Sequence, residues 1–295
     1  MNSLAPILGV VIIHYGRAEP TLQCLRSILD DPSETSRLVA VVDNFGNLKT
    51  QDFSEHSILI QRPDNPGFGG GANAGVAALE DCRDCLGFII LNNDLVIRPG
   101  FLDAAATALQ PPDVGAVGGP IMVGLDTPSL WYAGGVICRL TGTVRQSHSR
   151  ADAQTRREVG FVPGTAIAVR ADAWTEIGGF DDQYFLYNED IDLCLRLRRL
   201  GRRLMFEPGM ACLHDLGETT GSSRRSALYL EQITRSRLRP FKPRAYQLYL
   251  GGIHTLYNTA RILRLFFRHG RSARSQIRAI IRGHRTALAE VIRPR

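Results

Sequence analysis

The sequence lacks the features that would assign most common function classes. It has no run of about 18 uncharged apolar residues, the length a membrane-spanning helix needs. The first apolar run, ILGVVII at 7–13, is short and has neither a basic leader nor a cleavage site, so no secretory leader is expected. There is no G-x-S-x-G elbow, no G-x-x-x-x-G-K-[ST] loop and no H-E-x-x-H pair. Those absences argue against a serine hydrolase, a P-loop nucleotidase and a zinc peptidase. The six cysteines are scattered, and Cys82-x-x-Cys85 has no second pair at zinc-finger spacing. A reduced, cytoplasmic chain accounts for them. No internal repeat or low-complexity segment is present. Acids are nearly missing from the last quarter: residues 224–295 hold 17 Lys/Arg against Glu231 and Glu290, a balance of +15. Residues 1–223 hold 18 basic and 27 acidic residues, a balance of −9, so the two parts should have different partners.

What is present begins with alternation. ILGVVII (7–13), RLVAVVD (37–43), SILIQ (57–61) and LGFIILNND (86–94) are short apolar, β-branched runs of the kind buried on both faces of a parallel sheet. Helical patterns separate them, and Pro99 is expected to open the helix FLDAAATAL. The expected fold is α/β, a mixed, mostly parallel sheet flanked by helices. From 111 to 223 the runs shorten and glycine turns multiply, with a short helix at 171–177. The expected division is 1–223 as one body, split near 110 into a nucleotide-binding half and a catalytic half, followed by a basic helical extension at 224–295.

Ligands of such sheets bind outside the carboxyl ends of the strands. That rule gathers His14, Asp43 and Asp94 on one edge. GFGGGANAG contains G-x-G-x-x-A twice, but not after the first strand, where a dinucleotide fingerprint belongs. It leaves two readings: backbone N–H groups for a phosphate, or close packing of a helix start. Asn92-Asn93-Asp94 offers a carboxylate and amide oxygens suited to Mg²⁺ or Mn²⁺. In FDDQYFLYNEDIDLCLRLRRL (180–200), Asn188 is placed as an N-cap accepting from the first turn, with Glu189 and Asp190 in that turn. Neighbouring acids raise one carboxyl pKa, while a helix start lowers it.

These motifs, in this order, resemble glycosyltransferase family 2, the inverting nucleotide-sugar transferases with a GT-A fold, and most closely its bacterial rhamnosyltransferase-type members. VVDN, NPGFGGGANAG, LNNDLVIRPGFL, the stretch 163–208 and His214 carry the resemblance, over about residues 7–225. The resemblance implies that Asp43 hydrogen-bonds the nucleotide base. It also implies that Asn92-Asn93-Asp94 stands where D-x-D holds metal and diphosphate, with His214 completing the metal site. Asp190 is then the general base and Glu189 its support. His14, Tyr15 and Asn73 are grouped with the nucleotide-sugar contacts. Two positions depart from the family pattern: Asn92 replaces the first acid of D-x-D, and His14-Tyr15-Gly16 replaces an asparagine-rich strand end. The implied reaction uses a nucleotide-sugar donor, with dTDP-rhamnose the best single choice, and a cell-surface or lipid-linked glycan acceptor. The alternatives are a non-catalytic nucleotide-sugar or glycan binder and a nucleotidyltransferase.

Residues 245–268 of the tail, AYQLYLGGIHTLYNTARILRLFFR, place aromatics and leucines at helical spacing among Arg261, Arg264 and Arg268. Such a helix packs on the body, packs on a second copy as a homo-oligomer, or lies on the anionic inner face of the plasma membrane. No nucleic-acid module accompanies the arginines, so nucleic acid is not an expected partner.

Overall fold

The computed structural model describes residues 6–53, 57–79, 85–124, 127–214 and 226–293. In the first half, β1 (Ile7–His14), α1 (Ala18–Leu29), β2 (Ser36–Asp43), β3 (Ser57–Gln61), α2 (Gly67–Ala78), β4 (Cys85–Asn92), β5 (Leu95–Ile97) and α3 (Phe101–Leu109) follow one another. Then come β6 (Val114–Gly118), β7 (Ile121–Val123), β8 (Ser129–Tyr132), β9 (Gly135–Cys138), β10 (Thr143–Gln146), β11 (Arg157–Val159), β12 (Ala166–Arg170), α4 (Ala171–Ile177), α5 (Glu189–Arg199), β13 (Arg203–Phe206) and β14 (Cys212–His214). The tail supplies α6 (Ala227–Arg235), α7 (Arg244–His269) and α8 (Arg274–Ile292).

The main sheet has eight strands in the order β11-β13-β6-β12-β4-β1-β2-β3. β3, β2, β1 and β4 are mutually parallel; the β-branched runs of β2, β1 and β4 are buried, whereas β3, at the edge of the sheet, is only partly buried and exposes Ile58, so burial on both faces does not hold for SILIQ. β12 runs antiparallel between β4 and β6. Its AIAVR run is as apolar as its neighbours', so composition carried no sign of its direction. The reversal matters for the site: Ala166 pairs with Leu91, which brings the start of β12 to the carboxyl end of β4. A second sheet, β5-β14-β7-β8, pairs His214 with Leu95 and so sets the end of β14 beside the turn after β4.

Two local expectations change. α3 starts at Phe101 with Gly100 in the left-handed region as its cap, so Pro99 precedes the helix rather than opening it. The glycine stretch, expected from its composition to run from a turn into a helix, is the helix itself, since α2 starts at Gly67. Among the cysteines, Cys85 is disulfide-bonded, so a wholly reduced set does not hold; Cys82 lies outside the described residues. Cys24, Cys194 and Cys212 are buried free thiols whose pKa burial pushes up, which leaves them poor nucleophiles.

The tail packs on the body. Leu238, Phe241, Leu250, Ala287 and Val291 form a core that reaches Ile137, Ile191 and Leu195 of the body. At about 1.5–3 kcal/mol for each large side chain fully buried, this attachment is substantial. On α7, His254 Nε2 bonds the Thr141 carbonyl at 3.0 Å, and the Tyr246 hydroxyl donates to the Arg139 carbonyl. The boundary expected at 223 falls outside the described residues.

Candidate active site

β1 and β2 end in register, His14 opposite Asp43, and Ile13 pairs with Asn92 at the end of β4. The strand-end edge expected from the sequence is therefore assembled. Its residues divide into buried and facing groups. Asp43 is fully buried, and its carboxylate accepts from the backbone N–H groups of Phe45 (2.9 Å), Gly46 (2.6 Å) and Leu48 (2.9 Å). Burial alone would raise its pKa, but those three donors outweigh burial and hold the carboxyl low. Asp43 braces the loop that follows β2 from inside, as short carboxylates at strand ends do.

His14 is also fully buried. Its Nε2 lies 2.8 Å from Asn47 Oδ1, an acceptor only, so that nitrogen carries the proton. Nδ1 then accepts from the Thr21 hydroxyl at 2.6 Å, and Thr21 Oγ1 accepts from Asn93 Nδ2 at 3.0 Å. Burial lowers the His14 pKa, against the raising effects of Asn47 and Asp43, and favours this neutral form. The chain Asn93–Thr21–His14–Asn47 ties the end of β4 to the loop after β2. Tyr15, in contrast, is half exposed and meets the half-exposed Phe45 edge to face at 5.1 Å, so this aromatic pair is what the edge presents to solvent.

Asp94, in the turn between β4 and β5, lies 2.9 Å from His214 Nε2 across 120 residues, and both side chains are buried. Among the described residues His214 Nδ1 has no hydrogen-bond partner, and Trp131 lies edge-on at 6.5 Å. A carboxylate oxygen and an imidazole nitrogen this close suit a divalent cation. Among the described residues no third His, Cys, Asp or Glu joins them, so further ligands would come from diphosphate oxygens and water.

Glu189 and Asp190 open α5. Glu189 is buried, and among the described residues its Oε2 has no hydrogen-bond partner. Burial, reinforced by the Asp190 charge, pushes its pKa up to about 8. Asp190 is half-buried; burial raises it too, but Gly164 N–H (3.1 Å) and Ile191 N–H (2.8 Å) donate to its oxygens and favour the ionised form. The pair is thus divided, with the proton on Glu189 and the charge on Asp190. Gly164 has a second consequence. Its neighbour Thr165 accepts from Asn92 N at 3.0 Å, so two consecutive residues connect the Asp190 carboxylate to the end of β4. Asp192 plays another part: it is ion-paired with Arg196 at 2.6 Å and buried.

The structure corrects one expectation and bears on two others. Asn188 occupies the N-cap position, but its side chain does not cap. It has φ 69° and donates away from α5, to Ser236 Oγ (2.7 Å) and the Ile233 carbonyl (3.2 Å). Asn73 is held at both ends of its amide: Nδ2 donates to the Phe180 carbonyl and Asp182, and Oδ1 accepts from Phe180 N–H. That makes it a strut between α2 and the segment before α5. The glycines of α2 serve close packing. A Cβ at Gly67 would lie 1.9 Å from the Phe185 carbonyl oxygen, and one at Gly75 would lie 2.2 Å from Val11. Phe68 N–H, at the start of this helix, already donates to Phe185 O at 3.2 Å. Thr21, Phe45, Asn47, Gly164 and Ser236 were not singled out from the sequence. Gly164 lay inside the stretch 163–208 that helps carry the resemblance, whereas nothing near Ser236 marked it.

Residues 5–239 match the family described as Glycosyltransferase like family 2. The N-acetylglucosaminyl-diphospho-decaprenol L-rhamnosyltransferase of Mycobacterium tuberculosis is 28% identical over 251 residues, covering 76% of this chain and 81% of the relative. Among solved structures, Staphylococcus aureus TarS 1–349 superposes with a TM-score of 0.58 at 14% identity, over 96% of this chain and 81% of that one. The mannosyltransferase PcManGT of Pyrobaculum calidifontis, solved with GDP-Man and Mn²⁺, gives 0.55 at 16% identity, over 98% and 88%.

Proposed function

The chain belongs to glycosyltransferase family 2 and is a glycosyltransferase, and on that premise we propose that it inverts the anomeric centre while moving a sugar from a nucleotide donor to a lipid-linked or cell-surface glycan. Family membership decides against the non-catalytic binder and the nucleotidyltransferase. The observation that carries the reading is the Gly164–Thr165 pair, which joins Asp190 to Asn92 through one N–H and one carbonyl. A base and a leaving-group corner must be neighbours for single-step inversion.

Asp190, ionised, takes the proton of the acceptor hydroxyl as that oxygen bonds to the anomeric carbon. The bond from that carbon to the diphosphate oxygen breaks, and its electron pair leaves with the nucleoside diphosphate. Glu189, holding its proton beside Asp190, leaves a single negative charge in the pair. Asp94 and His214 would hold a divalent cation, Mg²⁺ or Mn²⁺, which supplies charge neutralisation for the departing diphosphate. Asn92 and Asn93 flank that corner. Tyr15 and Phe45 offer the nucleobase an aromatic surface, while Asp43 and His14 fix the loop behind it. The rhamnosyltransferase relative supports rhamnose as the sugar and a lipid-diphosphate glycan as acceptor, with dTDP-rhamnose the donor proposed.

A panel of nucleotide sugars, each with Mg²⁺ or Mn²⁺, tests the proposal. Turnover of one donor is expected, with dTDP-rhamnose first, and none without divalent cation. Asp190→Asn should lower transfer by at least about 10²-fold, the scale of a lost general base, while nucleoside-diphosphate affinity is unchanged. Wild-type transfer by that variant would remove the base assignment.

The same reading extends to the tail. No described helix is long and apolar enough to cross a membrane. The face of α7 turned from the body exposes Leu256 (75%), Phe267 (80%), Tyr257, Leu263 and Phe266, with arginines between them and no acid in the whole helix. This combination suits an anionic bilayer surface, where a lipid-linked acceptor would be found, and a peripheral place on the inner face of the plasma membrane. Sedimentation with phosphatidylglycerol vesicles is expected, and it should be lost in Phe266→Ser/Phe267→Ser and with phosphatidylcholine alone. Equal binding to both vesicle types rejects the anionic requirement, and binding to neither rejects the membrane role and leaves a second copy of the chain as the candidate for that face.

A further inference from the structure

The turn that leads into the acid pair is conformationally costly. Tyr187 and Asn188 both have φ 69°, in the left-handed region that residues other than glycine rarely enter. Consecutive residues in that region need an outside constraint. The body supplies one side of it: Phe68 N–H, at the start of α2, donates to the Phe185 carbonyl. A second side comes from beyond residue 226. Asn188 Nδ2 donates to Ser236 Oγ at 2.7 Å and to the Ile233 carbonyl at 3.2 Å. The Ser236 hydroxyl lies 2.8 Å from the Tyr187 carbonyl, and the Tyr187 ring meets Tyr229 of α6 edge to face at 4.9 Å. A few residues earlier, Arg239 donates to the Gln183 carbonyl and lies 5.6 Å over the Tyr184 ring, while its guanidinium pairs with both oxygens of Glu290 on α8. Ser236 itself is buried at 4% exposure.

These contacts converge on the backbone that aims Glu189 and Asp190. Asn188 O, in turn, accepts from Asp192 N at 3.0 Å and starts the helix carrying both acids. We infer that Ser236 and Asn188 are positioning residues of the transferase, and that the end of α6 is a structural part of the catalytic centre rather than of an appendage. The inference rests on the reading of Asp190 as base. It also gives a reason why the family match continues to residue 239, past the expected boundary at 223.

Two full-length variants test it. Ser236→Ala removes the hydroxyl with little change in volume. Asn188→Gly removes the amide while tolerating the left-handed backbone, so neither depends on the other. Two quantities are read: amide hydrogen exchange at residues 187–193, which needs no substrate, and steady-state kinetics with the donor selected by the panel. Exchange there should quicken about five- to tenfold, the effect of one buried hydrogen bond. kcat should fall about 10- to 100-fold with donor KM unchanged, as expected when a reacting group is displaced but the donor site is intact. Unchanged exchange, or faster exchange with wild-type kcat, overturns the positioning role. A loss confined to KM overturns it too, because the defect would then lie at the donor edge. Asp190→Asn separates this failure from failure of the base reading: an inactive Asp190→Asn beside a fully active Ser236→Ala removes the clamp and keeps the base.

Discussion

The donor edge and the acid turn are built by opposite strategies. At the donor edge, most braces come from the strand ends and the loops that follow them: Asp43 bonds residues two to five positions ahead, and His14 bonds Thr21 and Asn47. At the acid turn the braces are remote. Gly67 lies against Phe185 from more than a hundred residues away, and Ser236 reaches Asn188 from 48 residues on. The contrast teaches where a transferase of this kind is sensitive. A locally braced edge absorbs a local change, whereas a turn held from two distant segments in a left-handed conformation transmits any change in either one.

Glycine substitution separates the two most sharply. Gly67 and Gly46 have nearly equal backbone angles, φ 83° and 84°. A Cβ at Gly67 meets the Phe185 carbonyl at 1.9 Å, while one at Gly46 meets nothing within 4 Å. Gly67→Ala should therefore combine backbone strain with a clash that moves the acid turn, and lose more than about 3 kcal/mol of stability in urea denaturation. Gly46→Ala should lose only about 1 kcal/mol, the cost of the backbone angle alone. Equal losses would mean that the close approach of α2 to the acid turn contributes nothing.

The same contrast explains what the sequence made legible. Strand-end residues follow from periodicity, because a buried apolar run has a definite end and the chain must turn there. The run RLVAVVD placed Asp43, and only the burial of that carboxylate behind its own loop was hidden. Asp94 and His214 meet through an antiparallel pairing of β14 with β5, a strand of three residues too short to stand out from its surroundings; their partnership was reached through resemblance, not from spacing. Asn188 shows the limit of local rules. Its place before an apolar-periodic helix marked the N-cap, but the rule assumes that the amide turns back to the helix, and Ser236 competes for it. The glycines of α2 were ambiguous because a phosphate and a carbonyl oxygen make the same demand, absence of a Cβ; the occupant, Phe185, lies in a distant segment.

The smallest effect concerns the division of charge within the acid pair, and its sign can be worked out. Glu189 moves from an ordinary 4.5 to about 8 on folding, chiefly through burial. Below the ordinary value both folded and unfolded chains hold the proton, and the contribution to stability is whole. Between about 4.5 and 8 the unfolded chain ionises while the folded one retains its proton, so stability declines as pH rises. Glu189→Gln, neutral throughout, lacks that decline. Thermal unfolding should give closely similar melting temperatures for the two proteins at pH 5 and a higher one for Glu189→Gln at pH 8, by a few degrees. Asp190 is raised by burial as well and adds a decline of the same sign, but it does so equally in both proteins and cancels in the difference. Should the two melting curves stay parallel across that range, Glu189 would not be the holder of the shared proton, and the acid turn would lose the asymmetry that makes Asp190 the charged partner.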